Sequence, residues 1–142
     1  MNLRNIIGTN TVLSQMIDAY TGLIPMACAI EVKHSAGNME EATIQYRVWA
    51  AAGLAKLKEL FNGATLLQPL LGWTVVGHKW TLYISWKLDN GEVVVYGPWD
   101  EFRCGTGSYK GIFKLLHLIG EVGKWLETEY WTWFRDSVLS AQ

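Results

Sequence analysis

The chain is 142 residues long, with 18% charged residues and a formal net charge of −1. That length suits one domain, 1–142, able to bury a real hydrophobic core. The near-neutral balance argues against a strong, sequence-indifferent nucleic-acid binder, whose affinity rests on a basic excess.

Two cysteines, Cys28 and Cys104, are too few for a disulfide scaffold. The opening segment MNLRNIIGTN lacks the layout of a signal peptide. No apolar run reaches the roughly 18 residues a membrane span needs. An intracellular setting without a membrane is therefore the expectation. Eight tryptophans leave an aromatic core, an aromatic pocket or an interface all open.

In chain order, 12–20 (VLSQMIDAY) is rich in strand formers with partial alternation and predicts a first strand. Gly22 and Pro25 turn the chain. The mostly apolar run 26–33 (MACAIEVK) predicts a second, buried strand whose charged end emerges at a sheet edge or cleft, with Cys28 as a small buried hydrophobe. Asn38 is placed to cap a long helix over 39–62, with Glu40 and Glu41 in its first turn and Asn62-Gly63 ending it. An apolar connection, 64–72, leads to one or two strands in 73–87. Asp89-Asn90-Gly91 predicts a hairpin that returns as a strand over 92–97. A loop over 98–108 precedes a helical pattern from Tyr109 to about Leu139. The order β-β-α-β-β-β-α predicts an α/β fold: a mixed central sheet flanked by the long helix after the second strand and by the C-terminal helix.

The chemistry centres on Glu31-Val32-Lys33. On a strand, positions i and i+2 share a face, so Glu31 and Lys33 project together. If the first strand pairs with the second, Asp18 reaches the same edge. Two carboxylates beside one ammonium suit a hard divalent cation such as Mg²⁺ or Mn²⁺, which needs few protein ligands. The lysine can orient or deprotonate a water, or offset developing charge. Glu-x-Lys alone is a common tripeptide, and a solvated ion pair at a strand end is its bland reading. Its place at the end of an apolar run, after an Asp-bearing segment and before a long helix, favours function.

Further pieces fall in order: Gln15-Met16-Ile17-Asp18, Ala29-Ile30-Glu31-Val32-Lys33, Glu41-Ala42 with Gln45, Trp49 and Ala52, then Gly77-His78-Lys79-Trp80 and Gly111-Ile112-Phe113-Lys114-Leu115-Leu116. This series resembles the fungal branch of the PD-(D/E)XK nuclease-like superfamily, over about 15–135. The resemblance implies a restriction-endonuclease-like core. It implies Asp18 and Glu31 as metal ligands with the Val32 carbonyl, Lys33 as the catalytic lysine, and Gln45 as a supporting glutamine. Ile17 stands where the family name has proline. Relative to that branch the chain looks shortened at its N-terminus, without the acidic helix many members place before the first core strand.

His34, Tyr46, His78 and Trp80 are candidates to line a pocket, although loop and strand histidines are most often solvated or structural. His117 reads as helix packing. Gly105-Thr106-Gly107-Ser108 lacks the ending of a phosphate loop, and no Cys/His spacing suggests zinc. Consecutive aromatics over 130–134 cannot share one helix face, so an aromatic C-terminal helix that forms a homodimer is an expectation.

Three functions stay open on these residues. One is a metal-dependent phosphodiesterase acting on nucleic acid, with Asp18 and Glu31 on the metal and Lys33 assisting the water. Another is a shortened nuclease scaffold turned to a small-molecule substrate in an aromatic pocket, as in fungal secondary metabolism. The last is an inactive interaction module.

Overall fold

The computed structural model describes residues 12–61 and 67–140. Five strands form one mixed sheet: β1 (Cys28–Lys33), β2 (Leu70–Val76), β3 (Lys79–Lys87), β4 (Val93–Tyr96) and β5 (Arg103–Gly105). Their order is β1-β2-β3-β4, with β5 also pairing β3. β1 runs parallel to β2, and the other pairings are antiparallel. The parallel pair needs a crossover, which α1 (Met39–Leu60) supplies. α2 (Tyr109–Trp125) continues through a π-helical segment, a short α3 (Trp131–Phe134) and a second π-helical segment to Leu139. The sheet is therefore mixed and carries a long helix after the strand predicted second and a helical C-terminus, as the pattern implied. No helix among the described residues is long and apolar enough to cross a membrane.

The predicted strand over 12–20 does not form. Leu13 and Ser14 both donate backbone N–H bonds to the Gly22 carbonyl, and Gly22 donates to Asp18. Ser14 Oγ bonds the Thr21 carbonyl, and Asp18 accepts from Tyr20 and Thr21. These short polar side chains close local loops that compete with a ladder. The segment is a folded turn with Ile17 fully exposed, so the observed order is β-α-β-β-β-β-α.

Smaller differences follow from packing. β2 starts at Leu70, inside the predicted connection, because Leu70 and Leu71 are core residues. β5 emerges from the predicted loop by pairing with Lys79–Thr81. His117 is exposed rather than packed, and Cys28 is half-buried. The predicted helix end at Asn62-Gly63 lies outside the described residues. Trp131 faces outward while Tyr130 and Phe134 are buried.

The two helical layers take opposite faces of the sheet. Leu71, Trp73 and Leu82 pack on Leu115 of α2. On the other face Tyr46, Ala50 and Tyr83 form a cluster under α1. Tyr46 lies flat on Gly72, where an added Cβ would sit 1.9 Å from the ring. Its hydroxyl is hydrogen-bonded to Ser85 Oγ. Gly77, at φ 57°, makes the tight β2–β3 turn. A third cluster joins the end of α1 to Phe134, Val138 and Leu139 of the C-terminal helix.

Candidate active site at the end of strand β1

Among the described residues β1 is an edge strand. Ala29, Glu31 and Lys33 point to the α1 side, where Ala29 meets the Tyr46 cluster. Asn38 caps α1 by accepting from the Glu40 N–H, a bond worth about 1 kcal/mol. That cap fixes where the first turn begins and so where Glu41 and Gln45, one turn apart, project.

The side chains meet around one ammonium. Lys33 Nζ lies 3.0 Å from Glu41 Oε1 and 3.4 Å from Glu31 Oε1. Gln45 Nε2 reaches the same Glu41 oxygen at 3.4 Å. Glu31 is 32% exposed and Lys33 19%, against 57% for Glu41. The hydrogen bond to Glu41 pushes the Lys33 pKa above its ordinary 10.5; burial, the next effect, opposes it, and the charge of Glu41 with the hydrogen bond and charge of Glu31 add to the rise. Lys33 is an ammonium at neutral pH. Glu31 and Gln45 also line a small cavity of about 230 Å³ with Tyr46 and Trp49.

Glu41 is the member that sequence reading did not assign to the site. It read as an acid favouring the helix dipole. The available signal was its place one turn before Gln45 on the same helix face.

Asp18 is not among the groups gathered at Lys33. Its carboxylate accepts from the Thr21 hydroxyl and from the N–H groups of Thr21 and Tyr20. Those bonds, the Thr21 side chain first, hold its pKa below the ordinary carboxylate value. The expected route to the β1 edge, a paired first strand, is absent. The pocket candidates also separate. Tyr46 belongs to the small cavity, while His78 and Trp80 line a larger one. His34 is exposed, its Nδ1 facing the Ala36 N–H at 3.3 Å.

The donor chemistry fits a hard divalent cation. Glu31 and Glu41 place carboxylate oxygens around a single cationic nitrogen, so they already share one positive charge. The backbone adds a third oxygen. The Ala27 carbonyl accepts from Leu71 N–H and the Lys33 carbonyl from Gly77 N–H. Carbonyls alternate along a strand, so odd-numbered ones face β2 and Val32 turns its carbonyl to the edge that is open among the described residues. Among those residues no three His, Cys, Asp or Glu side chains cluster as a closed cage. An ion here would keep several waters, as Mg²⁺ does with few protein ligands.

No curated protein and no solved structure matches the chain significantly. The family model described as the PD-(D/E)XK nuclease superfamily matches residues 3–131, most of the chain. That match spans β1 with its Glu31-x-Lys33, the crossover helix with Glu41 and Gln45, and the rest of the sheet, and the chain belongs to the PD-(D/E)XK nuclease superfamily.

Proposed function

We propose that the chain is a metal-dependent phosphodiesterase that hydrolyses nucleic acid, with Mg²⁺ or Mn²⁺ at the end of β1. Family membership supports a nuclease-like function, and nucleases of this superfamily generally use divalent metals. The observation that carries the reading is the meeting of Glu31, Lys33, Glu41 and Gln45 at one strand end. When bound, the ion supplies positive charge at a phosphoryl oxygen and a more acidic water.

The protein's own groups have distinct tasks. Glu31 offers carboxylate oxygens and Val32 its open-edge carbonyl. Two residues compete for the second carboxylate: Asp18 by resemblance and Glu41 by geometry. The geometry favours Glu41, whose oxygen already shares Lys33 with Glu31, whereas Asp18 is engaged in its own turn. Lys33 keeps its proton at neutral pH, which suits it to orient the attacking water and offset negative charge on the phosphoryl group rather than to accept a proton. Gln45 positions Glu41.

A calorimetric titration with Mn²⁺ tests this. The wild type should bind, Glu31→Gln should not, and Glu41→Gln should bind about tenfold more weakly or worse. Asp18→Asn should keep its affinity; a loss there equal to that of Glu31→Gln would give the second place to Asp18. A wild type that takes up no Mn²⁺ sinks the metal-dependent reading.

A further inference from the structure

The sheet face under α1 carries a second feature, on the opposite flank of the helix. Register makes its neighbours explicit. Glu31 pairs with Thr74, Thr74 with Thr81, and Thr81 with Arg103. Lys33 likewise leads through Val76 to Lys79. Paired residues point the same way, so Glu31, Thr74, Thr81 and Arg103 form one row across the face that carries the candidate site.

The first turns of α1 sit over the middle of that row. Thr74 Oγ1 lies 3.4 Å from Met39 Sδ, and Thr43 Oγ1 lies 3.2 Å from the Tyr83 hydroxyl. On the β1 side of this bar lie Glu31, Lys33 and Glu41. On the β5 side lies a cleft of about 730 Å³.

The charge of that cleft is distinctive. Lys79 and Arg103 line it beside His78, and among the described residues no Asp or Glu does. The chain as a whole carries a net charge of −1, so this is a local segregation of cations. Among the described residues Lys79 takes part in no ion pair. His78 spends Nδ1 on Thr106 Oγ1 at 2.8 Å, and among the described residues Nε2 has no hydrogen-bond partner. Among the described residues Arg103 pairs with Asp100 alone, at 3.1 Å, and both are well exposed. An exposed pair of that kind is worth little and yields to a stronger anion. Ser108 and Gly111, at the start of α2, complete the wall and add the positive end of the helix dipole.

We propose that this cleft seats a backbone phosphate of the nucleic-acid substrate, away from the one that is cut. The inference rests on the phosphodiesterase reading and names the surface that holds the rest of the strand. Glu31 and Arg103 stand three strand spacings apart, about 14 Å. The first turns of α1 lie between them, so a bound strand passes round that end of the helix and spans at least about four nucleotide steps of a duplex. Arg103 presents a planar fork suited to phosphate, and Lys79 a point charge beside it. Met39 gives the wall an apolar part, where a sugar or base edge can rest.

The test is binding of a fluorescent oligonucleotide in the presence of a chelator, measured across a salt series. Metal-free conditions separate it from the Mn²⁺ titration. The wild type should bind with salt-dependent affinity. Lys79→Ala combined with Arg103→Ala should weaken binding about tenfold or more and flatten the log–log salt slope by about one to two. Lys124→Ala, which removes an exposed charge outside the cleft, should change neither. Inorganic phosphate at millimolar concentration should not displace the strand, because one phosphate lacks the neighbouring contacts. Unchanged melting curves would show that the variants are folded. Wild-type binding that survives both cleft substitutions overturns the cleft and leaves the metal reading standing. So does a wild type that binds no oligonucleotide, since the Mn²⁺ titration judges the metal site independently.

Discussion

Gly72→Ala should unseat α1 and with it half of the candidate site. The Tyr46 ring occupies the space above Gly72, and a methyl there would lie 1.9 Å from one ring carbon and 2.5 Å from the next. Ordinary contact needs about 3.5 Å, so the ring must withdraw by more than 1 Å. Its retreat is restricted: Tyr46 is 1% exposed, bonded to Ser85 and flanked by Trp49 and Tyr83, with the small cavity it shares with Gln45 as open space beside it. Overpacking of this kind costs about 1–3 kcal/mol and sometimes more. Abandoning the aromatic contact altogether would cost about 3–5 kcal/mol, which sets a ceiling. Replacing a strand glycine returns about 0.5–1 kcal/mol. The net expectation is a loss of about 1 kcal/mol at mid-range and up to about 2.5 kcal/mol, read from urea unfolding followed by circular dichroism. Because Tyr46 adjoins Gln45 and lies near Glu41 on the same helix, Mn²⁺ affinity should fall as well. In a Tyr46→Leu background the same glycine substitution should cost markedly less. A Gly72→Ala protein within about 0.5 kcal/mol of wild type would refute the close approach of helix and sheet on which the site's geometry depends.

Two other expectations follow from named contacts. The Lys33 pKa is raised by Glu41 and Glu31, so its contribution to stability is complete below the ordinary value of 10.5 and is lost as pH rises through the folded value. Glu41→Gln should therefore shrink the part of the wild type's alkaline stability loss that sets in above that value; parallel urea titrations across pH 9–12 for the two proteins, with identical alkaline limbs, would contradict the ion pair. Phe134 is fully buried against Tyr130 and the end of α1. Phe134→Ala should cost about 3–5 kcal/mol in chemical denaturation, while Trp131→Ala, at a 38% exposed position, should cost far less.

The parts legible in the sequence were those set by local chemistry. Asn38 marked the start of α1 because a short amide side chain before an acidic turn serves few other purposes. Glu31 and Lys33 share a face because strand geometry requires it, and the Asp-Asn-Gly turn lies between β3 and β4. The failures came where several structures satisfy the same residues. VLSQMIDAY has strand formers, yet Ser14 and Asp18 can close turns on Thr21 and Gly22, and the turn prevails. The spacing of Glu41 from Gln45 places both on one helix face but does not separate a dipole acid from a partner for Lys33; the crossing of α1 over β1 decides it. The cationic cleft was equally hidden. Lys79 and Arg103 lie far apart in the chain and become neighbours only through the short β3–β5 pairing.

The edge of β1 that is open among the described residues has a consequence for handling the protein. An unpaired strand edge is a template for another chain, and Ile30 and Val32 are 55% and 64% exposed on the face away from α1. Natural sheets blunt such edges with charge, and here the charges that do so are Glu31 and Lys33 themselves. The residues proposed for chemistry thus double as gatekeepers against edge-to-edge aggregation. A substitution that silences the site also removes the guard, so Glu31→Gln protein should scatter more light than wild type at equal concentration, and its lost turnover is to be read beside that measurement.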